Sequence, residues 1–298
     1  MLYEKLFRYF SDPKEGDDVF YARSDTKFTY GQAGEVIRAI SNYFDQQNIG
    51  VGDVVAIEAE KEFEVYCCCL ACIINGITYV PFSKAQNFNR IKQSFSHIST
   101  DLIITVTDEA HNFFKGINIR EISISAIEPS SQPFYSKKIS EAQIAYIMFS
   151  SGTTGRPKAI PVTRKNLEAY IDSIESQYDI DYGSGFSQIA ELTFDLSIHD
   201  IYLCISNKGF LCPIKSKESI FGHRFVNELE IGYWMSVPST ASYMFQMIPV
   251  IDSMPSLKCT FFLGEALSTD LAKKWIKLTP NGIAVNTYGP TECTVAAS

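Results

Sequence analysis

Apolar positions in the first part of the chain follow two different periods, which predict alternating helices and strands. Between Ala33 and Phe44 they recur at helical spacing, whereas residues 54–59, "VVAIEA", are almost continuously apolar, as in a buried strand. Helices are also predicted at about 62–74 and 89–97, and strands at "ITYVPF" and "LIITV". Helices that alternate with buried strands indicate an α/β fold with a parallel sheet covered on both faces.

Residues 126–141 interrupt this alternation with prolines, serines and charges, so we predict a linker there. The predicted organisation is a first α/β lobe at 1–125, the linker, and a second α/β lobe at 142–298. In the second lobe, "IAYIMF", "SQIAEL", "IGYWMSV", "CTFFL" and "GIAVNTY" are predicted strands. The predicted helices between them are 163–174, "LSIHDIYLCI", a helix beginning at Pro238, and "STDLAKKWIKL".

The composition of the chain excludes several classes of protein but does not indicate a specific function. The 298 residues are 46% hydrophobic and 20% charged, with a net charge of −8, which is globular composition without the basic surface of a nucleic-acid-binding protein. No apolar run is long enough to span a bilayer, and the charged N-terminus does not resemble a signal peptide. Four of the eight cysteines crowd one apolar helix, and the three adjacent ones point in three directions and cannot converge on one metal, which favours buried thiols in a reducing compartment. We therefore expect a cytoplasmic protein with no membrane or nucleic-acid partner.

Four polar stretches follow predicted strands of the second lobe. They are "SSGTTGRPK" at 150–158, "FDLS" at 194–197, "LGEAL" at 263–267 and "NTYGPTE" at 286–292. Ligands of parallel sheets bind beyond the carboxyl ends of the strands, so four such stretches in one lobe predict a single site.

The first stretch has the chemistry of a phosphate-binding loop but not the Walker spacing. Its glycines allow backbone N–H groups to approach an anion, its hydroxyls add donors, and Lys158 adds positive charge, which together suit a triphosphate. Taken alone, it could equally be a flexible surface loop.

The other stretches offer polar groups that each have two interpretations. Asp195 could cap the helix that begins at Leu196 or hold a cationic group of a substrate. His199 lies one helical turn later and could share that face, although a single histidine is more often a lining residue. Tyr288 offers a flat ring, while Thr291 and Glu292 offer oxygens for magnesium, unless Glu292 is simply solvated in a turn.

Together these stretches resemble the adenylate-forming superfamily, which includes acyl-CoA synthetases, firefly-type luciferases and amino-acid adenylation domains. "YIMFSSGTTGRPKAI" is similar to its phosphate loop, "FDLS" to its substrate-amine motif, "NTYGPTE" to its adenine and magnesium motif, and "GITYVPF" to a structural motif. The likeness extends from about Thr29 to the last residue. "FDLSIHDIY", "FFLGEAL" and "NTYGPTECTVA" look most like D-alanine–carrier protein ligases and nonribosomal-peptide-type adenylation domains.

The resemblance implies ATP-dependent activation of an amino-acid carboxylate as an aminoacyl-adenylate, with Mg²⁺ as cofactor and a phosphopantetheinyl carrier protein as acceptor. Lys158, Thr291 and Glu292 would act on the phosphates, Glu292 as the magnesium ligand, and Asp195 would pair with the substrate ammonium. The implied ATP-binding residues are Ser150, Ser151, Gly152, Thr153, Thr154, Gly155, Lys158, Gly264, Glu265, Ala266, Asn286, Thr287, Tyr288, Gly289 and Thr291. The implied substrate-binding residues are Asp195, Leu196, His199, Thr240, Phe261, Leu263, Val295 and Ala296.

Several features depart from the family pattern. Ala159 replaces a usual glycine, Arg164 replaces a frequent histidine, and His199 stands where D-alanine ligases usually have a bulky apolar residue. Family members continue beyond the last motif into a barrel-like subdomain and a mobile C-terminal domain that carries a further lysine. We therefore expect an N-terminal portion of an adenylating enzyme, with weak or no activity alone. The alternatives are a portion of an acyl-CoA synthetase-type ligase and a noncatalytic nucleotide-binding protein.

Overall fold

The computed structural model describes residues 2–85, 88–95, 98–106, 119–133, 135–151 and 157–297. The chain divides into two compact units, one formed by residues 1–18 and 30–169 and the other by residues 19–29 and 170–298. Each unit contains its own β-sheet.

The α-helices and strands are numbered separately in chain order within the described residues. They are α1 (Leu2–Ser11), β1 (Val19–Arg23), β2 (Thr26–Thr29), α2 (Tyr30–Gln46), β3 (Val54–Glu58), α3 (Phe63–Asn75), β4 (Thr78–Phe82), α4 (Phe88–Phe95), β5 (Leu102–Thr105), β6 (Arg120–Ser123), β7 (Ile144–Ser151), β8 (Pro157–Thr163), α5 (Arg164–Gln177), β9 (Gly185–Gln188), α6 (Leu196–Ser206), β10 (Phe210–Pro213), α7 (Gly222–Leu229), β11 (Ile231–Ser236), α8 (Pro238–Met247), β12 (Cys259–Phe262), α9 (Thr269–Leu278) and β13 (Ile283–Asn286).

The first unit is built on a six-stranded sheet in the order β6-β5-β3-β4-β7-β8. Its strands are parallel except for the antiparallel pair β7 and β8. Helix α3 is apolar on all sides, and each of its residues except Glu64 is buried, as expected for a helix inside the core. Its cysteines Cys67, Cys68, Cys69 and Cys72 are free thiols within that core, as their clustering predicted.

The second unit contains a seven-stranded sheet in the order β13-β12-β11-β9-β10-β1-β2. Its strands are parallel apart from the antiparallel pair β1 and β2. Trp275 of α9 is completely buried, and its ring lies 5.4 Å from the rings of Trp234 and Phe262. These large rings fix α9 on the sheet and thereby hold the carboxyl ends of β11 and β12 in place.

The alternation of helices and strands therefore predicted the α/β class and the two helix-covered sheets correctly. The division between the units does not coincide with residues 126–141, because β7 and β8 follow that segment and still join the first sheet. Strand β9 ends at Gln188, whereas the apolar run had predicted that it continued to residue 192. None of the described helices has the length and apolar content needed to cross a membrane.

Candidate active site

The two ends of the predicted phosphate-binding stretch lie on two antiparallel strands of the first unit. Ser150 on β7 pairs with Lys158 on β8, and Ser151 pairs with Pro157. Strand β8 was not predicted; it brings Lys158, which is exposed, back opposite the serines before the loop. The predicted ligands Gly152, Thr153, Thr154 and Gly155 lie outside the described residues.

Asp195 occupies the first position before α6 but does not cap that helix through its side chain. Its carboxylate instead accepts hydrogen bonds from the Thr291 hydroxyl and from the backbone N–H groups of Asp195 and Leu196. Glu292 lies close enough to add electrostatic repulsion. Two motifs that are far apart in the sequence therefore meet in the second unit. The prediction that all four polar stretches belong to one lobe is wrong for residues 150–158, because β7 and β8 pair into the sheet of the first unit.

Burial raises the pKa of the Asp195 carboxyl, and the negative charge of Glu292 adds to this shift. The hydrogen bonds from Thr291 and the backbone oppose the shift because they stabilise the ionised form. A buried carboxylate is a good partner for a cation, since a bound ammonium would neutralise a charge that burial makes unfavourable.

The segment after β13 folds back on itself. Thr287 donates from both its backbone N–H and its hydroxyl to the carbonyl of Phe262, at 2.8 and 2.9 Å. A Cβ atom added at Gly289 would lie only 2.5 Å from the Cα atom of Ala296. The close approach of these two backbone segments therefore requires glycine. Asn286 and Tyr288 are exposed, which leaves the Tyr288 ring open for stacking.

Glu292 is exposed in the short 3₁₀ turn of residues 291–293. Within the described residues, no group of three acidic, histidine or cysteine side chains could hold a metal by itself. Mg²⁺ in nucleotide sites is commonly held by one or two carboxylates together with the phosphates, and the exposed carboxylate of Glu292 fits that requirement.

The predicted adenine-binding stretch at 264–266 follows β12 directly. Gly264 has φ = +93°, a conformation that favours glycine, and Gly264, Glu265 and Ala266 are all exposed. The Glu265 carboxylate accepts a 2.9 Å hydrogen bond from the Ser239 N–H and lies 3.0 Å from the Ser239 hydroxyl. It therefore caps the first turn of α8, so the part of this stretch available to a ligand is its backbone and Ala266.

His199 lies on α6 one turn after Asp195 and is 1% exposed. Its Nδ1 atom is 2.8 Å from the hydroxyl of Tyr170, and its ring centroid lies 4.6 Å from that of Phe261. Burial lowers the pKa of His199 to about 3, so the ring is neutral at physiological pH. Leu263 and Val295, also predicted to line the substrate pocket, are fully buried, while Ala296 is half-buried.

A cavity of about 290 Å³ lies beyond the carboxyl ends of β9 and β11. Strand β10 lies on one side of β9 in the sheet, and β11 lies on the other side, followed outward by β12. The direction in which strands are added therefore reverses between β9 and β11, and the cavity lies at this point. Of the predicted substrate residues, Leu196 and Thr240 line it, whereas the other predicted substrate residues do not. The remaining lining residues are Ile189, Ala190, Glu191, Phe194, Ser216, Ser219, Ser236 and Val237.

Sequence reasoning did not find Tyr170, Ser239 or the residues other than Leu196 and Thr240 that line the cavity of the β9–β11 crevice. Helical spacing could have placed Tyr170 on the buried face of α5, because Leu167, Ile171 and Ile174 share that face and are buried. Its contact with His199 depends on how two helices pack, which no local pattern shows.

Comparison with known proteins places these features in a family. The family described as "AMP-binding enzyme" matches residues 11–298. The D-alanine–D-alanyl carrier protein ligase of Bacillus cereus (strain G9842) is 27% identical over 293 residues, which cover 95% of this chain and 57% of the relative. The same enzyme of Staphylococcus haemolyticus (strain JCSC1435) is 30% identical over 230 residues, covering 75% and 46%. The chain thus spans about half the length of these relatives.

Solved structures show the same fold. The Vibrio cholerae adenylation domain AlmE, in complex with glycyl-adenosine-5'-phosphate, aligns with a TM-score of 0.83 at 24% identity and covers all of this chain and 60% of that one. The nonribosomal peptide synthetase FmoA3, with AMPPNP bound, aligns with a TM-score of 0.89 at 17% identity and covers all of this chain and 32% of that one. At these identities the likeness establishes the fold alone.

Proposed function

Because the chain belongs to the AMP-binding enzyme family, we propose that it is the part of an AMP-forming ligase that binds ATP and an amino acid and forms an aminoacyl-adenylate. The observation that carries the proposal is the hydrogen bond between Thr291 and the buried Asp195 carboxylate. An acyl-activating site needs no buried carboxylate next to the reacting group, whereas an amino-acid site needs a partner for the ammonium.

In the proposed reaction, the substrate carboxylate attacks the α-phosphorus of ATP, the bond to the β,γ-pyrophosphate breaks, and pyrophosphate leaves with its electron pair. Asp195 would hold the ammonium and so fix the position of the attacking carboxylate. Thr291 would donate its hydroxyl to the α-phosphate, where negative charge develops. Ser150, Ser151 and the loop of residues 152–155 would hold the β- and γ-phosphates, and Lys158 would neutralise the leaving pyrophosphate.

The exposed ring of Tyr288 and the backbone of residues 264–266 would contact the adenine, and Glu292 would hold Mg²⁺, which supplies charge neutralisation between the phosphates. Leu196, His199, Thr240, Phe261, Leu263, Val295 and Ala296 would surround the substrate side chain. The acceptor of the aminoacyl group would be the phosphopantetheine thiol of a carrier protein, in line with the names of the curated relatives.

Isothermal titration calorimetry with alanyl-sulfamoyl-adenosine, a stable analogue of an aminoacyl-adenylate, tests the role of Asp195. The Asp195→Asn variant keeps the size of the side chain but loses the charge, so it should bind the analogue at least about tenfold more weakly. Asp172→Asn is the matched control, because it makes the same change on the exposed face of α5 and should bind like the wild type.

Unchanged affinity in Asp195→Asn would contradict the proposal. It would then favour an acyl-CoA synthetase-type ligase, in which no ammonium is recognised. ATP binding in the absence of any binding by the aminoacyl analogue would instead favour a noncatalytic nucleotide-binding protein.

A further inference from the structure

Another cavity lies in the first unit, where no part of the proposed reaction takes place. It has a volume of about 360 Å³ and is lined by α1, the end of α3, residues 136–139 and Arg164. All of these segments belong to the first unit, and residues 136–139 fall in the segment that was predicted to be a linker. Pockets for small molecules measure about 300 to 1,000 Å³, so this cavity is large enough for a small metabolite.

The cavity and the phosphate-binding stretch lie at opposite ends of the hairpin formed by β7 and β8. Ile144 pairs with Thr163 at one end of the hairpin, and Ser150 pairs with Lys158 near the other end. Arg164 directly follows Thr163 and therefore lies at the first end. Lys158 and Thr163 are five positions apart on β8, which corresponds to roughly 17 Å. The cavity is thus a separate site from the phosphate-binding stretch.

The side chains that line this cavity carry an excess of positive charge. Among the described residues of its wall, Lys137, Lys138 and Arg164 are cationic, whereas Glu4 is acidic. The chain as a whole has a net charge of −8, so a basic cavity is not a consequence of its composition. A concave surface with charges of one sign concentrates ions of the opposite sign, which favours an anionic ligand.

Arg164 supplies a positive charge that is held in position by the protein. Its guanidinium lies 3.4 Å from the ring centroid of Tyr3, and its Nη1 atom donates a 2.6 Å hydrogen bond to the carbonyl of Ile73. Because these contacts already fix the side chain, an anion that binds beside it does not have to order it.

The two lysines differ in how much of their charge a ligand can use. The Nζ atom of Lys137 lies 2.8 Å from the carboxylate of Asp45, which offsets part of its charge. Lys138 is exposed, and its flexible stem allows the ammonium to turn toward a bound anion. Lys138 is therefore the lysine that should contribute most to binding.

Apolar side chains form much of the remaining wall. Leu6 and Ile74 are buried, while Phe7 and Ile139 are half-buried. An inorganic ion would leave this apolar surface in contact with water, whereas a ligand with an apolar body would cover it. The cavity therefore combines the requirements of a charged group and of an apolar group in one ligand.

We propose that this cavity binds a small anion with an apolar body, such as an aromatic carboxylate or sulfonate, and that Lys138 and Arg164 attract its charged group. Glu4 opposes binding because it carries the same charge as the ligand. The site uses none of the residues assigned to ATP or to the amino acid, so the proposal does not depend on the proposed function.

Isothermal titration calorimetry with naphthalene-2-sulfonate and with the neutral naphthalene-2-methanol tests the proposal. We expect the sulfonate to bind the wild-type chain at least about tenfold more tightly than the alcohol. Lys138→Met keeps the apolar stem but removes the charge, so it should weaken sulfonate binding about threefold. Glu4→Gln removes the opposing charge and should tighten it about twofold to threefold. Lys14→Met is the matched control, because Lys14 is an exposed lysine of the same unit outside the cavity wall, and it should bind like the wild type.

Nuclear magnetic resonance of isoleucine methyl groups locates the bound sulfonate. The signals of Ile74 and Ile139, which line the cavity, should shift, whereas that of the exposed Ile283 in the second unit should not. Unshifted signals of Ile74 and Ile139, equal affinity for the sulfonate and the alcohol, or unchanged affinity in both Lys138→Met and Glu4→Gln would overturn the proposal. Displacement of the sulfonate by ATP would also overturn it, because the sulfonate would then occupy the nucleotide site. A negative result in any of these tests would leave the role of Asp195 untouched.

Discussion

At the scale of single residues, the second unit places ionisable groups where water is largely excluded. Asp195 and His199 lie one helical turn apart, and their pKa values shift in opposite directions. Burial raises the pKa of the Asp195 carboxyl and lowers the pKa of the His199 imidazole. In each case burial favours the neutral form of the side chain. For Asp195, a bound cation would reverse this preference and favour the ionised carboxylate. This arrangement predicts that ligand binding and acid stability are both sensitive to these two side chains.

His199 should make the protein less stable in acid. Its pKa is about 3 in the folded chain and about 6.5 when unfolded, so below pH 6.5 the unfolded state binds a proton that the folded state does not. The free energy of unfolding should therefore fall as the pH drops from 6.5 toward 3, by up to about 1.4 kcal/mol per pH unit from this group.

Urea denaturation of the wild type and of His199→Met between pH 7 and 4 measures this contribution. The methionine variant should show a shallower loss of stability over that range. Identical pH profiles for the two proteins would mean that His199 is not held neutral by burial.

Thr291 should couple the binding of the amino acid to that of ATP. Its hydroxyl has one hydrogen, which it donates to Asp195 in the structure, so it cannot donate to the α-phosphate at the same time. An ammonium bound at Asp195 neutralises that carboxylate and weakens its hold on the hydroxyl. We expect saturating alanine to tighten ATP binding about fivefold to tenfold, as measured by calorimetry.

Thr291→Val keeps the shape of the side chain and removes its hydroxyl, so it should lose most of this coupling. Equal ATP affinity with and without alanine in the wild type would contradict the proposed exchange of partners, as would full coupling in the valine variant.

At the scale of elements, Arg164 connects three segments of the first unit. Its guanidinium lies 3.4 Å from the ring centroid of Tyr3 on α1, and its Nη1 donates to the carbonyl of Ile73 on α3 at 2.6 Å. The Tyr3 hydroxyl in turn donates to the backbone carbonyl of Arg164 at 2.8 Å. The residue that departs from the family pattern at this position is thus a structural contact at the start of α5.

Replacing Arg164 with methionine should destabilise the first unit by about 2 to 4 kcal/mol, because a buried carbonyl loses its charged donor and a cation–π contact is lost. Arg8→Met is the matched control, since Arg8 lies over the Tyr9 ring at 4.8 Å with a side chain that is 57% exposed. It should change stability by less than about 0.5 kcal/mol. Equal urea midpoints for the two variants would show that Arg164 is not a structural contact.

At the scale of the whole molecule, local patterns predicted most of the elements and the family motifs but not how distant segments combine. The period of apolar residues identified α2, α3 and α6, because a buried helical face or a buried helix leaves a local signature. The placement of β1 and β2 beside β10, and of β7 and β8 in the first sheet, depends on pairing between remote segments. For the same reason the sequence indicated Asp195 and Thr291 separately, while their hydrogen bond became visible only in the fold.

An amino-acid-activating site differs from an acyl-activating one in recognising an ammonium group, which we assign to the second unit. Calorimetric comparison of alanyl-sulfamoyl-adenosine with propionyl-sulfamoyl-adenosine isolates this recognition, because the two ligands differ only in the amine. We expect the alanyl compound to bind the wild-type chain at least about tenfold more tightly, through Asp195. Equal affinity, or tighter binding of the propionyl compound, would contradict amino-acid recognition.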